Sequence, residues 1–195
     1  AKLSTSARAR LMNSGDIKPL LNELEEKGDW KSVENLARKA VQLRPDQAEF
    51  HLMLGTALHN QGKAMAAEQA YAACLRLDSK NLRALINLGS LQISGGQPAA
   101  GLKALEGALF LQPGNVEASV QKGRGLGIMG KPDEALKIFD ELSRKFPNSV
   151  EVLKAQAVCH IDIGHKTKAA ELLFRAAELA PDDTSIQATL KKVAS

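Results

Sequence analysis

With 195 residues, 44% of them apolar and 4% aromatic, the chain has material for one core of helices packed through small side chains, which excludes wholesale disorder. The net charge of +4 does not mark a nucleic-acid binder. Lys2, Arg8 and Arg10 give residues 1–13 a charge of +3, Lys191 and Lys192 give residues 184–195 a charge of +2, and 21 basic against 22 acidic residues lie between.

Residues 1–13 match nothing downstream and read as an N-terminal arm. The chain opens at Ala1 without a methionine, which reads as a processed form or an excised segment. From residue 14 the sequence repeats with a step of 34. Gly28, Gly62, Gly96, Gly130 and Gly164 share one register, and Pro45, Ser79, Pro113, Pro147 and Pro181 share another. A small residue recurs at Val33, Ala67, Gly101, Ala135 and Ala169, and a mostly larger one at Ala37, Tyr71, Leu105, Phe139 and Leu173. Each unit reads as helix, turn, helix: the glycine supplies the positive φ that reverses the chain, and the proline register closes the second helix.

Unit 14–47 starts with an amphipathic helix, Ile17, Leu20, Leu21 and Leu24 falling at i, i+3, i+4 and i+7, and Trp30 anchors the turn after Gly28. Unit 48–81 repeats the pattern with His51, Leu54, Gly55 and Leu58, and unit 82–115 with Leu85, Leu88, Gly89 and Gln92. Pro98 and Pro132 open second helices, where a missing N–H costs nothing. Unit 116–149 departs most. Ser119 and Lys122 replace large apolar residues, and Gly123, Gly125 and Gly127 share one helix at about 1 kcal/mol each relative to alanine. Either close packing holds that helix or it is a soft joint. Unit 150–183 completes the series. Residues 184–195 read as a closing helix with Asp183 as N-cap and Ile186, Leu190 and Val193 on its apolar edge. The expected fold is therefore all-α: a right-handed α-solenoid of five helix-turn-helix units and a capping helix.

The stretches LMLGTALHNQGKAMAAEQAYAACLRLD and INLGSLQISGGQPAAGLKALEGALFLQP resemble tetratricopeptide repeats, and the resemblance covers residues 14–183. It implies a protein-binding scaffold whose first helices line a concave groove. At i, i+4, i+7 those inward faces are Lys18, Asn22 and Glu25; Leu52, Thr56 and His59; Ile86, Ser90 and Ile93; Val120, Arg124 and Gly127; Lys154, Val158 and Ile161. Met53, Asn60, Arg83, Asn87 and Gln121 lie beside them. On this reading Leu52, Met53, Ile86, Ile93 and Val120 are surplus to the internal core and form a solvated apolar strip, edged by polar residues, for a peptide or helix of a partner protein. Packing beneath neighbouring helices or the N-terminal arm is the competing reading. Some relatives hold a C-terminal carboxylate with Lys, Asn, Asn, Lys and Arg. Lys18 and Asn22 match that clamp and Arg83 is a conservative change, but Met53 and Asn87 remove two donors. Relatives are also joined to glycosyltransferases and sulfotransferases, so a recognition arm of a larger enzyme is a second reading, and self-assembly into a homo-oligomer a third.

No catalytic residue, cofactor or metal is expected. Gly125 to Gly130 spell G-x-G-x-x-G, but inside a helix rather than between a strand and a helix. His51 and His160 sit in registers filled elsewhere by Leu, Ile or Gln, His59 falls on the groove side, and His165 follows a turn glycine and reads as solvated. No pair is spaced for a helical zinc site. Cys74 and Cys159 have no neighbouring base or metal-type spacing, and Cys74 reads as core. Glu25–Glu26 and Asp182–Asp183 read as solvated helix ends. No apolar run approaches the roughly 18 residues of a membrane span, so no insertion is expected. A reducing, cytoplasmic compartment is.

Overall fold

The computed structural model describes residues 17–194, so the arm predicted for residues 1–13 lies outside them. Among the described residues there are eleven α-helices and no strand: α1 (Ile17–Glu26), α2 (Trp30–Leu43), α3 (Ala48–Asn60), α4 (Ala64–Leu77), α5 (Leu82–Ser94), α6 (Pro98–Leu111), α7 (Val116–Ile128), α8 (Pro132–Lys145), α9 (Val150–Asp162), α10 (Lys166–Leu179) and α11 (Thr184–Ala194). The fold is the all-α helical repeat that the 34-residue step predicts.

Local chemistry sets the helix ends. All five turn glycines have φ between 67° and 81°, the left-handed region that a side chain disfavours. Pro98 and Pro132 are the first residues of α6 and α8. The register before the first helices is rich in caps: Asn81, Asn115 and Ser149 each accept the N–H three residues on, and Asp183 Oδ1 accepts that of Ser185 at 2.9 Å.

The described residues divide into two compact units within α5, between Leu91 and Gln92. In the first, α3 packs between α2 and α4. Its core joins Leu21, Val33, Ala37, Leu54, Leu58, Tyr71 and Cys74. In the second, α7 packs between α6 and α8, α9 between α8 and α10, and α11 on α10. One of its clusters centres on Val120, Phe139 and Val152, the other on Leu153, Leu173 and Ile186. Second helices bury one narrow stripe, as Ala135, Phe139 and Leu142 show on α8. A first helix with neighbours on both sides is buried nearly all round: α3 hides Phe50, Leu52, Met53, Leu54, Gly55, Ala57 and Leu58.

That difference corrects the expected apolar strip. Leu52, Met53, Ile86, Ile93 and Val120 are between 0% and 5% exposed, so they belong to the interior and present no solvated surface. Leu52 and Met53 join the first core, and Val120 the second. Ile93 Cδ1 lies 2.9 Å from where a Cβ on Gly125 would sit.

The departures in α7 acquire physical reasons. A Cβ on Gly123 would meet Phe139 Cζ at 2.5 Å, and one on Gly55 would meet the Tyr71 ring at 2.6 Å. Both glycines let an aromatic from the following helix touch backbone. Ser119 Oγ donates to Asn115 O, and Lys122 pairs with Glu106 at 3.4 Å. Gly127 has nothing within 4 Å of a Cβ. The G-x-G-x-x-G run lies in α7 and its turn, with no strand beside it.

Candidate functional site

The polar groups predicted for the groove gather best in residues 17–91, on α1, α3 and α5. Glu25 of α1 and Arg83 of α5 form an ion pair at 3.1 Å although α3 separates them in the repeat order. Lys18 pairs with Glu49 at 2.8 Å on the same side. Both pairs are half-exposed and position side chains more than they stabilise the fold.

Near the Glu25–Arg83 pair lie Thr56, Asn87 and the hydroxyl of Tyr71. Tyr71 reaches this face from α4. Burial pushes its phenol pKa up, and the nearby Thr56 and Asn87 side chains only partly offset that rise. The hydroxyl makes no hydrogen bond of normal geometry. Thr56 Oγ1 is turned to its own helix, donating to Leu52 O at 3.1 Å. His59 stands edge-on to Tyr71 with ring centroids 6.4 Å apart, and burial lowers its pKa, so the ring is neutral near pH 7. Asn60 Nδ2 donates to Thr56 O at 2.9 Å. Asn22 and Asn60 are exposed, and Asn87 and Ser90 are half-buried. The result is a face of amides, hydroxyls and one bridging ion pair, without the predicted apolar floor.

The remaining predicted residues lie in the second unit. Gln121 is half-buried, Arg124 is exposed and Val158 is 48% exposed. Lys154 is engaged inside the chain: its Nζ donates to Asp183 Oδ2 and Ser185 Oγ, both at 2.7 Å, and so pins the start of α11 to α9. The Lys154 hydrogen bond, aided by the hydroxyl and N–H of Ser185 donating to the same carboxylate, holds Asp183 at a pKa of about 2.

The residues set aside as non-catalytic fall in ordinary packing positions. Cys74 is buried and its thiol is pushed up to about 11, so it is not a thiolate near pH 7. Cys159 Sγ lies 3.6 Å from Pro132 O. His51 Nε2 is 2.9 Å from Pro45 O, and His160 stacks on the exposed His165 at 5.8 Å. Trp30 is half-buried against the first core, and its carbonyl accepts from Gln61 Nε2. No cluster of three or more His, Cys, Asp or Glu side chains fit to hold a metal occurs among the described residues. No described helix is long and apolar enough to cross a membrane.

Two buried polar side chains escaped the sequence reading, Gln156, which accepts from Ser143 and donates to Asp140, and Glu34. Glu34 of α2 accepts from Arg38 at 2.9 Å, Lys63 at 2.6 Å and Gln61 at 2.9 Å, tying the first helix pair to the second. The Lys63 hydrogen bond, aided by Arg38 and Gln61, holds its pKa near 2 against the opposing effect of burial. The register did not single it out: Glu34 shares its position with Glu68 as well as with Leu102, Leu136 and Ala170.

Two family models, each described as tetratricopeptide repeat, match residues 36–69 and 128–193. The chain belongs to the tetratricopeptide repeat family. It is 26% identical over 168 residues to the peroxisomal targeting signal receptor of Candida albicans, covering 84% of this chain and 28% of the receptor. The chain thus spans little more than a quarter of that relative. Among solved structures, a thermophilic tetratricopeptide protein of Thermus thermophilus superposes with a TM-score of 0.78 at 17% identity, covering 92% of this chain and 98% of that one. YrrB, described as a tetratricopeptide protein with an unusual peptide-binding site, superposes with a TM-score of 0.70 at 23% identity, covering 96% and 98%. At these identities the superpositions show the fold. It is the fold of a protein-interaction scaffold.

Proposed function

We propose that the face of α1, α3 and α5 within residues 17–91 holds an extended segment of a partner protein, chiefly through its main chain. The observation that carries this reading is the Glu25–Arg83 pair bridging alternate first helices beside Thr56 and Asn87. Side-chain amides offer a donor and an acceptor together, which is what a peptide unit needs, and Asn22, Asn60 and Asn87 supply three on this face. With Leu52, Met53 and Ile86 buried, the apolar contribution to binding is small, and register along the segment is set by hydrogen bonds and the two ion pairs. The carboxylate clamp of some relatives is not reproduced, because Met53 is 4% exposed and Lys18 is paired with Glu49. The names of two similar proteins support the reading: one is a receptor of a targeting signal, the other has a peptide-binding site. Neither buried thiol is an ionised nucleophile near pH 7.

Selection of displayed random peptides on the immobilised protein, followed by titration of the winners, tests the assignment. Asn87→Ala and Asn22→Ala should each weaken the selected peptides by about threefold to tenfold, the worth of one hydrogen bond of about 0.5–1.5 kcal/mol. Lys39→Ala on the exposed side of α2 should leave them unchanged. Peptides indifferent to both asparagine variants would sink the proposal.

A further inference from the structure

Between α10 and α11 a groove of about 490 Å3 opens on the last helix pair. Ala170, Leu190 and Val193 supply apolar lining, Phe174 stands beside them 62% exposed, and Lys166 and Lys191 flank the opening with no acidic residue in the lining. Glu171, next along α10, is taken by Lys168 at 3.1 Å.

Two of these residues break the repeat. The Phe174 position is Arg38, Ala72, Glu106 and Asp140 in the earlier units, so a large aromatic stands where the array otherwise carries a small or charged side chain. The Lys191 position is Leu21, Gly55, Gly89, Gly123 and Ala157, so the array otherwise carries an uncharged side chain there. At Gly55 and Gly123 that slot is where the next helix presses an aromatic ring to within 2.6 Å of a would-be Cβ. A further helix packed over Lys191 would bury an unpaired ammonium, a cost that the apolar Leu21, buried in the same slot of the first unit, does not carry. The occupant must therefore cover apolar surface and bring negative charge.

We propose that this groove docks an acidic segment of a partner protein, with a bulky apolar side chain of that segment seated against Phe174 and Leu190 and its carboxylates meeting Lys166 and Lys191. Exposed apolar surface rimmed by one sign of charge fits such a segment, and the charges set its orientation. The surface is distinct from the α1, α3, α5 face.

The test uses the full chain and displayed random peptides, counter-selected on Phe174→Glu, a substitution at an exposed position that should leave the circular dichroism melt unchanged. Enriched peptides should carry an excess of Asp and Glu around an aromatic or Leu. They should bind at least tenfold more weakly to Lys166→Glu/Lys191→Glu and should be indifferent to Asn87→Ala. Lys-for-acid versions of the same peptides should regain binding to the charge-reversed protein. No enrichment over Phe174→Glu, or enriched peptides without an acidic excess, would overturn the proposal. So would a concentration-dependent dimer in light scattering that Phe174→Glu abolishes, since a second copy would then be the occupant.

Discussion

Exchanging Gly123 and Gly127 for alanine, one at a time, separates close packing from softness in α7. Each replacement relieves helix-propensity cost, worth up to about 1 kcal/mol and less at Gly127, which is one residue from the helix end. At Gly127 the added methyl meets nothing within 4 Å, so Gly127→Ala should stabilise by about 0.5 kcal/mol. At Gly123 it falls 2.5, 2.7 and 3.1 Å from Cζ, Cε1 and Cε2 of Phe139, whose side chain is 1% exposed and has nowhere to swing. Overpacking of that kind costs about 1–3 kcal/mol, so the net change at Gly123 is a loss of about 0–2 kcal/mol, and the two variants should differ by about 0.5–2.5 kcal/mol. Gly125→Ala should fall between them, because it meets the ends of the Ile93 and Leu102 side chains at 2.9 and 3.0 Å. Urea denaturation followed by circular dichroism reads the differences. If Gly123→Ala stabilises as much as Gly127→Ala, the Phe139 ring yields readily and α7 is the soft joint. Fast amide exchange across residues 117–129 would then accompany it.

Glu34, held near a pKa of 2 against its ordinary 4.5, contributes stability that is complete above pH 4.5 and is lost as the pH falls towards 2. The whole shift corresponds to about 3 kcal/mol, reduced to about 1–2 kcal/mol because Lys63 and Arg38 are half-exposed. Denaturation of Glu34→Gln between pH 2 and 7 should show a flatter profile than the parent, and parallel profiles would remove Glu34 as the origin. Ile86→Glu, at 4% exposure, should lower stability by several kcal/mol rather than act on binding alone, and a melt within about 1 kcal/mol of the parent would contradict its burial. Lys154→Ala should release Asp183 and Ser185 and speed amide exchange at the start of α11, with α3 unaffected; equal protection of α11 in both proteins would count against the pin.

The helix pairs were legible because their determinants are local. A glycine that must take positive φ, a proline that ends or opens a helix, and apolar residues three or four apart act within one turn of backbone. Gly62 and Pro98 therefore do in the structure what their spacing foretells. Which face of a first helix meets solvent was not legible. The i, i+4, i+7 reading of Leu52 and Ile86 assumed one buried stripe, whereas a helix flanked on both sides is buried nearly all round. The polar partners escaped for a related reason: Glu34 meets Lys63 and Lys154 meets Asp183 across separations of about one repeat, where no hydrophobic period encodes which polar ends converge. Sequence by itself determined the repeat, its turns and the all-α fold, because backbone sterics and helical periodicity are short-range. Only the tertiary structure decided that the apolar strip is core and that the exposed face is polar, because burial depends on how many neighbours surround a helix.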